Sequence, residues 1–122
     1  MAITDIGLNT MRSLLGSPQP TIPTYMAIGS GTTAFNVADT QLEGENERNA
    51  LTSYDQATNK VVTYIADWSS TEASGLTVGE FGLFNTDTVS TGSIFNREVI
   101  TPLTFEGDRE LQIQVSFRVS GA

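Results

Sequence analysis

Apolar and polar residues alternate strictly along residues 110–119. A period of two is the repeat of an extended strand, whose successive side chains point to opposite faces. The apolar members of the run are Leu111, Ile113, Val115, Phe117 and Val119. Gly107 and Asp108 stand just before it and supply the turn chemistry of a hairpin. The run therefore predicts a strand with one buried face and one wet face.

Other segments rich in β-branched and aromatic residues are separated by short polar runs. The polar runs 55–59, 69–75 and 86–92 contain turn-forming residues and predict loops. The segment 60–68 is partly apolar on both faces, which suits a strand with something packed on each side. The predicted strands are 25–28, 49–54, 60–68, 76–85 and 93–100.

Two glycines, Gly79 and Gly82, interrupt the predicted strand 76–85. Glycine inside a strand commonly marks a bulge or a close approach of another backbone segment. The strand 93–100 is expected to return as its hairpin partner and to end at Pro102, because proline cannot donate to the ladder.

The N-terminal segment 1–16 predicts a helix, with Thr4 or Asp5 as its cap and Gly16 as a left-handed C-cap. The prolines of 17–23 then predict a stiff, extended connection. A helix that covers its own sheet is the favoured interpretation, and an arm that docks on a neighbouring subunit is the alternative. The residues near helical spacing are Ile6, Met11, Leu14 and Leu15.

These elements favour a mainly β fold, an antiparallel β-sandwich with one short N-terminal helix. The 122 residues correspond to one domain, 1–122, which buries about two-thirds of its unfolded surface. Cysteine is absent, so no disulfide framework is expected.

The stretch 24–42 is the one around which the rest of the chain is expected to be organised. It begins as a strand and stops at Gly29 and Gly31, which are expected to take positive φ and turn the backbone sharply. An irregular loop follows, in which Phe35 and Val37 are the two apolar residues able to anchor it. We therefore expect this loop to hold one fixed shape.

The next segment, 43–48, is dense in carboxylates. Its oxygens could gather around Ca²⁺, although the spacing matches no EF-hand loop. A solvated turn is the favoured interpretation. Arg48 would then pair with these acids or with Asp39 at an exposed position, where the ion pair contributes little.

Charge narrows the choice of partners. Fourteen acidic residues against six basic ones give a net charge of −8, so the chain would repel nucleic acid. No apolar run of about 18 residues exists and no signal peptide is recognisable, so no membrane partner is expected. Lys60 is the only lysine. An acidic surface almost without lysine fits a protein of a high-salt environment, and an ordinary acidic surface is the alternative.

The residue inventory also limits the chemistry. Without His or Cys, nucleophile–imidazole catalysis and imidazole or thiolate metal sites are excluded. Carboxylate pairs such as Asp39 with Glu80 or Glu43 with Glu98 could in principle serve a glycosidase, but fourteen acids produce such pairs by chance. The segment 29–33 lacks the lysine of a phosphate-binding loop. We therefore predict no enzyme, no metal and no cofactor.

Three patterns in this sequence resemble a family of small structural proteins of tailed phages and archaeal tailed viruses. The first is Y-x-A-x-G-x-G-T-T-A at 25–34, the second is D-T-x-L-x-x-E at 39–45, and the third is E-x-G-L-F-N at 80–85. The likeness covers nearly the whole chain and departs at Phe81, where a smaller aliphatic residue is common.

The resemblance implies a non-enzymatic component of a virion, as a head turret or decoration, a collar, or a tail or baseplate fibre adaptor. It implies a homo-oligomer, expected as a trimer or pentamer, in contact with other virion proteins. The residues expected to carry the fixed loop and assembly are Gly29, Gly31, Phe35, Val37, Gly79, Gly82, Leu83 and Phe84.

The alternative function is a module that binds host-surface glycans. Exposed aromatic side chains stack on sugars, and Tyr64 and Trp68 are the candidates, with Tyr25 and Tyr54 beside them. Tyr64 and Trp68 share a predicted face with Val62, so the favoured interpretation places both in the core or in a subunit interface.

Overall fold

The computed structural model describes residues 3–16, 22–56 and 60–119. Its helices and strands, in chain order, are α1 (Asp5–Gly16), β1 (Tyr25–Gly29), β2 (Glu45–Ala50), β3 (Ser53–Asp55), β4 (Val61–Trp68), α2 (Ser70–Ala73), β5 (Thr77–Phe84), β6 (Ile94–Thr104) and β7 (Leu111–Arg118). Within these ranges, none of the helices has the length and apolar character needed to cross a bilayer.

The strands form two antiparallel sheets, which confirms the predicted β-sandwich with a short N-terminal helix. One sheet has the order β2-β1-β5-β6 and the other the order β3-β4-β7. The main core lies between them and includes residues of both sheets that are almost fully buried. Its largest members are Trp68, Phe95, Phe105, Phe117, Met26, Ile28 and Leu83.

The strand β7 confirms the alternation seen in the sequence. Ile113, Val115 and Phe117 are buried and Leu111 is half-buried, while the polar residues between them are exposed. The prediction was wrong for Val119, which lies beyond the end of the strand and is 64% exposed. β7 pairs with β4 in unbroken register from Val61 opposite Arg118 to Trp68 opposite Leu111. Both predicted strands are therefore present, and they lie side by side.

The hairpin of β5 and β6 contains the predicted bulge. The register shifts between Val78 and Glu80, so Gly79 lies at the irregularity. The prediction that the second strand ends at Pro102 was wrong, because β6 continues to Thr104. Pro102 lies on an edge strand and within the bulge of β6, where a missing N–H breaks no regular ladder.

The helix α1 begins where the sequence predicted. Thr4 is fully buried, and its hydroxyl accepts a hydrogen bond from the Gly7 N–H at 2.9 Å. The Thr4 N–H in turn donates to the Phe95 carbonyl of β6, so the helix is fastened to its own sheet, as favoured. Gly16 is the last helical residue and does not take the left-handed conformation, so that detail was wrong. Residues 17–21 of the predicted connection lie outside the described residues.

Three further predictions, of a loop, a strand and a hairpin turn, were also wrong. The segment 69–75 contains α2, whose start is fixed by reciprocal hydrogen bonds between Ser69 and Glu72. The predicted strand 49–54 is divided between β2 and β3, which belong to different sheets. Gly107 does turn the chain, with φ of +89°, but it joins β6 of one sheet to β7 of the other and makes no hairpin.

Candidate functional site: a buried ion pair beneath the central loop

The loop around which the chain was predicted to be organised is held by the side chain of Glu80. Glu80 lies on β5 and is fully buried. Its Oε2 accepts the N–H groups of Gly31 at 2.8 Å and Gly44 at 2.7 Å, and its Oε1 accepts the Glu43 N–H at 2.8 Å. One carboxylate therefore binds both ends of the loop 30–44.

Arg97, on the neighbouring strand β6, completes the arrangement. Its Nε donates to Glu80 Oε1 at 2.8 Å, and its Nη1 donates to Asp39 Oδ2 at 3.2 Å. Only 2% of the Arg97 side chain is exposed. We refer to Asp39, Glu80 and Arg97 as the Glu80–Arg97 cluster.

Opposite effects act on the two buried charges. Burial by itself raises the pKa of Glu80, but the hydrogen bonds from Arg97 and from the three backbone N–H groups outweigh it, and the pKa is lowered. Burial likewise opposes the charge on Arg97, and Glu80 and Asp39 outweigh it, so the Arg97 pKa is raised. Both groups are therefore held charged in the folded protein.

Glu43 ties the loop together from the other side. Its Oε1 accepts the N–H groups of Thr32 at 2.9 Å and Thr33 at 3.3 Å, and its Oε2 accepts the Thr33 hydroxyl. These bonds, above all those from Thr33, lower the pKa of the Glu43 carboxyl. Since the Glu43 N–H is also bound by Glu80, the residue connects Thr32 and Thr33 to the buried cluster.

The glycines of the loop are needed for space, and the expectation of positive φ was wrong. Neither Gly29 nor Gly31 takes a positive φ. A Cβ on Gly31 would lie 2.4 Å from Glu80 Oε2, and one on Gly29 would lie 2.7 Å from the same atom. A Cβ on Gly79 would lie 2.9 Å from the Gly31 carbonyl oxygen. Gly29 and Gly31 therefore let the backbone approach the buried carboxylate of Glu80, and Gly79 lets β5 approach the backbone of the loop.

The two expected apolar anchors do not hold the loop. Val37 is 52% exposed and Phe35 is half-buried. The Val37 backbone contributes instead, because its carbonyl accepts the Asp5 N–H at 2.8 Å and so joins the loop to α1. Leu42 is the buried apolar residue of the loop, packed with Phe84 and Ile94. The fixed shape is thus set mainly by polar contacts.

A second ion pair lies on β2, where a solvated turn had been expected. Arg48 makes two hydrogen bonds of 2.8 Å to Glu45, and both side chains are almost fully buried. The Arg48 Nη1 also donates to the carbonyl oxygens of Thr86 and Thr91, and its guanidinium lies 3.8 Å from the centre of the Phe84 ring. We refer to Glu45 and Arg48 as the Glu45–Arg48 pair. Within the described ranges, no three His, Cys, Asp or Glu side chains are grouped to hold a metal ion.

The remaining predicted residues belong to the core. Gly82 packs so closely on β6 that a Cβ would lie 2.3 Å from the Asn96 carbonyl oxygen. Leu83 and Phe84 are fully buried. Trp68 is also fully buried and cannot stack on a glycan, whereas Tyr64 packs partly buried against Phe117. Trp68 therefore lies in the core, and Tyr64 packs at its margin.

The role of Arg97 and the joint role of Glu80 with the loop were not predicted from the sequence. A signal was present: Glu80 and Arg97 are opposite charges set in apolar segments that were themselves predicted to be hairpin partners. A charge buried on an apolar strand needs an opposite charge beside it, because an uncompensated buried charge is strongly destabilising. The chain matches no protein-family model, and no curated protein matches it significantly.

Proposed function

We propose that the chain is a non-enzymatic structural component of a tailed virus particle. In this role it is an oligomeric surface module, as a head turret or decoration, a collar, or a tail or baseplate fibre adaptor. The site it presents is a rigid loop on a β-sandwich, held by the Glu80–Arg97 cluster.

One observation carries the proposal. The three patterns that resemble virion proteins occupy separate stretches of sequence, yet they meet at one place in the fold. Gly31 belongs to the first pattern, Asp39 to the second and Glu80 to the third, and all three are joined through the Glu80–Arg97 cluster. When the residues of such sequence patterns serve to fix one loop, a structural role is expected for the protein.

The chemistry of the cluster supports a structural role. A glycosidase of the kind considered above needs one carboxyl that stays protonated to donate to the leaving group. The lowered pKa of Glu80 keeps that carboxyl ionised, and its hydrogen bonds engage both oxygens. Asp39, the other candidate of the pair, is bound to the same guanidinium. The geometry suits a stable ion pair that holds the loop in place.

The test is to look for the chain in particles. Tailed particles are purified by density gradient from the host that carries the gene, and their proteins are identified by mass spectrometry. The proposal predicts that the chain copurifies with particles at several copies each, and that labelled antibody decorates their surface. Particles that consistently lack the chain, or turnover of a substrate that Glu80→Gln abolishes without unfolding the protein, would contradict the proposal.

We further propose that the acidic surface is an adaptation to high salt, as for a virus of a salt-loving host. The net charge of −8 causes self-repulsion that dissolved ions screen. Thermal unfolding should then shift upward by several degrees between low and molar salt. Unfolding that is independent of salt would favour an ordinary acidic surface.

The glycan-binding alternative now depends on Tyr54, because Trp68 is fully buried and Tyr64 is partly buried. Tyr54 is 56% exposed beside a shallow groove lined by Ile22, Pro23 and Leu51. A glycan array probed with the purified chain separates the two functions. Binding that Tyr54→Ala removes would favour the alternative, and no binding is expected from a purely structural module.

A further inference from the structure

The four edge strands of the sandwich are not equally protected against pairing with another chain. An open edge exposes unpaired N–H and C=O groups, and proteins usually block it with short strands, charges, prolines, bulges or a covering segment. The edges here are β2 and β6 in one sheet and β3 and β7 in the other.

Three of these edges carry such protection. β2 contains the inward-pointing charges of Glu45 and Arg48, and β3 is only three residues long. β6 has the bulge beside Pro102, and its first half is covered by the N-terminal segment, where Ile3 bridges to Asn96.

The edge of β7 has none of these devices. It runs for eight residues in unbroken register with β4, and it contains no proline, glycine or lysine. Its single charged residue, Arg118, stands at the end of the strand. Among the described residues, no other strand pairs with its outer side.

The backbone groups that face outward can be assigned. The Val119 N–H donates to the Lys60 carbonyl at 2.8 Å, in the same register that pairs β7 with β4. Because hydrogen-bonded pairs alternate along an antiparallel ladder, the odd-numbered residues of β7 bond to β4. The even-numbered residues, Gln112, Gln114, Ser116 and Arg118, therefore direct their N–H and C=O groups away from the sheet.

We propose that β7 pairs edge to edge with β7 of a second copy of this chain, antiparallel and about a two-fold axis at Gln114. This contact would join the two three-stranded sheets into one continuous sheet of six strands. Each copy would supply the outward backbone groups that the other needs, as expected of a self-complementary interface.

The charges at the two ends of β7 favour a second copy of this chain as the partner, and they favour the register centred on Gln114. Glu110 and Arg118 are exposed, and no ion pair of either is found within the described part of the chain. With Gln114 opposite Gln114 of the second copy, Gln112 faces Ser116 and Glu110 faces Arg118. Two symmetric ion pairs therefore close the ends of the contact, and no like charges oppose each other.

The apolar residues on the buried face of β7 also fit this register. Side chains directly opposite each other across an antiparallel pair point to the same side of the sheet. Ile113 would then face Val115 of the second copy, and Leu111 would face Phe117. The inward row of apolar residues would continue across the contact without interruption.

The inference rests on the proposed function in that a surface module must associate with further copies. A two-fold contact is not one that a trimer or pentamer ring contains, so it adds to any ring contact. The two ideas fail separately: a chain found in particles but lacking this contact overturns the inference alone. A chain that pairs through β7 but is absent from particles overturns the proposed function alone.

The first experiment measures the mass of the full chain in solution by light scattering and sedimentation, at about 100 μM. The wild type should form dimers, or assemblies that contain them. Gln114→Lys places two like charges at the axis and should weaken association at least about tenfold. Gln56→Lys is the matched control, because Gln56 is exposed just after β3, at the opposite edge of the same sheet. Thermal unfolding of both variants confirms that the fold is kept.

The second experiment tests the register by exchanging charges in the lowest salt that keeps the chain folded. Glu110→Arg alone and Arg118→Glu alone should each weaken the dimer, and the double variant should restore it. The two single variants, mixed in equal amounts, should form a mixed dimer in which every facing pair is opposite in charge.

Three results would overturn the inference. These are a wild type that remains monomeric, an oligomer that is indifferent to Gln114→Lys, and single charge variants that the double variant does not rescue. In the last case the pairing would lack the assigned register.

Discussion

Among the described residues, two buried ion pairs use the same chemical groups in opposite ways. In the Glu80–Arg97 cluster the carboxylate is the centre, and it accepts backbone N–H groups from the loop 30–44. In the Glu45–Arg48 pair the guanidinium is the centre, and it donates to backbone carbonyls of the loop 86–92. The loop 30–44 directs N–H groups at a negative charge, and the loop 86–92 directs carbonyl groups at a positive charge.

The two loops therefore depend on different side chains. Removing Glu80 would leave three loop N–H groups and part of a buried guanidinium without their acceptor. Removing Glu45 would leave Arg48 with the carbonyls of Thr86 and Thr91 and with the Phe84 ring. The first loop should therefore depend strongly on its carboxylate, whereas the second should depend on Arg48 more than on Glu45.

The largest effect is expected for Glu80→Ala. The change leaves the buried Arg97 with Asp39 as its one salt-bridge partner among the described residues, and breaking a buried ion pair in this way costs about 3–5 kcal/mol. Urea unfolding followed by circular dichroism measures the loss. Glu106→Ala removes an exposed glutamate and serves as the control, which should stay within about 0.5 kcal/mol of the wild type.

A smaller loss is expected for Glu45→Ala. Hydrogen bonds to charged groups contribute about 1.5–3 kcal/mol, and the remaining acceptors of Arg48 limit the damage to that range. The same unfolding experiment applies. A loss equal to or larger than that of Glu80→Ala would remove the distinction between the two ion pairs.

Gly31→Ala tests the need for space beside the carboxylate. The new methyl group would lie 2.4 Å from Glu80 Oε2 and 2.5 Å from Glu43 Cβ, and such overpacking costs about 1–3 kcal/mol. Gly16→Ala is the matched control, because nothing lies within 4 Å of its Cβ position at the end of α1. That change should be neutral or stabilising by up to about 1 kcal/mol. Equal effects of the two substitutions would argue against close packing at Gly31.

Acid should act on the Glu80–Arg97 cluster through Glu80 and Glu43. Both folded-state pKa values lie below the ordinary 4.5, so the stability they contribute is complete above that pH and is lost as the pH falls through the folded values. The gap in unfolding free energy between the wild type and Glu80→Gln should narrow below about pH 4.5. A gap that stays constant into acid would mean that Glu80 gains nothing from its charge.

The strands could be predicted from sequence because their signals are local. The alternation of β7 and the β-branched run of β4 each follow from a repeat within a few residues. The end of β6 could not be predicted in this way. Pro102 normally stops a strand, and it is tolerated only because β6 is an edge and bulges at that point.

The site was predicted only in part, because its contacts join residues far apart in the chain. The glycines predicted a fixed loop. The local sequence could not show whether glycine is required there for positive φ or because a Cβ would clash with a neighbouring group. The carboxylate that occupies that space, Glu80, lies 49 residues beyond Gly31. Glu45 and Arg48 looked like a solvated turn because nothing near them shows that the loop 86–92 covers them.

Amide hydrogen exchange tests the central claim, that one buried carboxylate fixes the loop 30–44. The account predicts that the N–H groups of Gly31 and Gly44 exchange nearly as slowly as those of β1, and that Glu80→Gln speeds both by at least about tenfold. Ser90, whose N–H bonds to Glu45 at an exposed position, should be unaffected by that substitution. Gly31 and Gly44 amides that exchange as fast as Ser90 in the wild type would contradict the account.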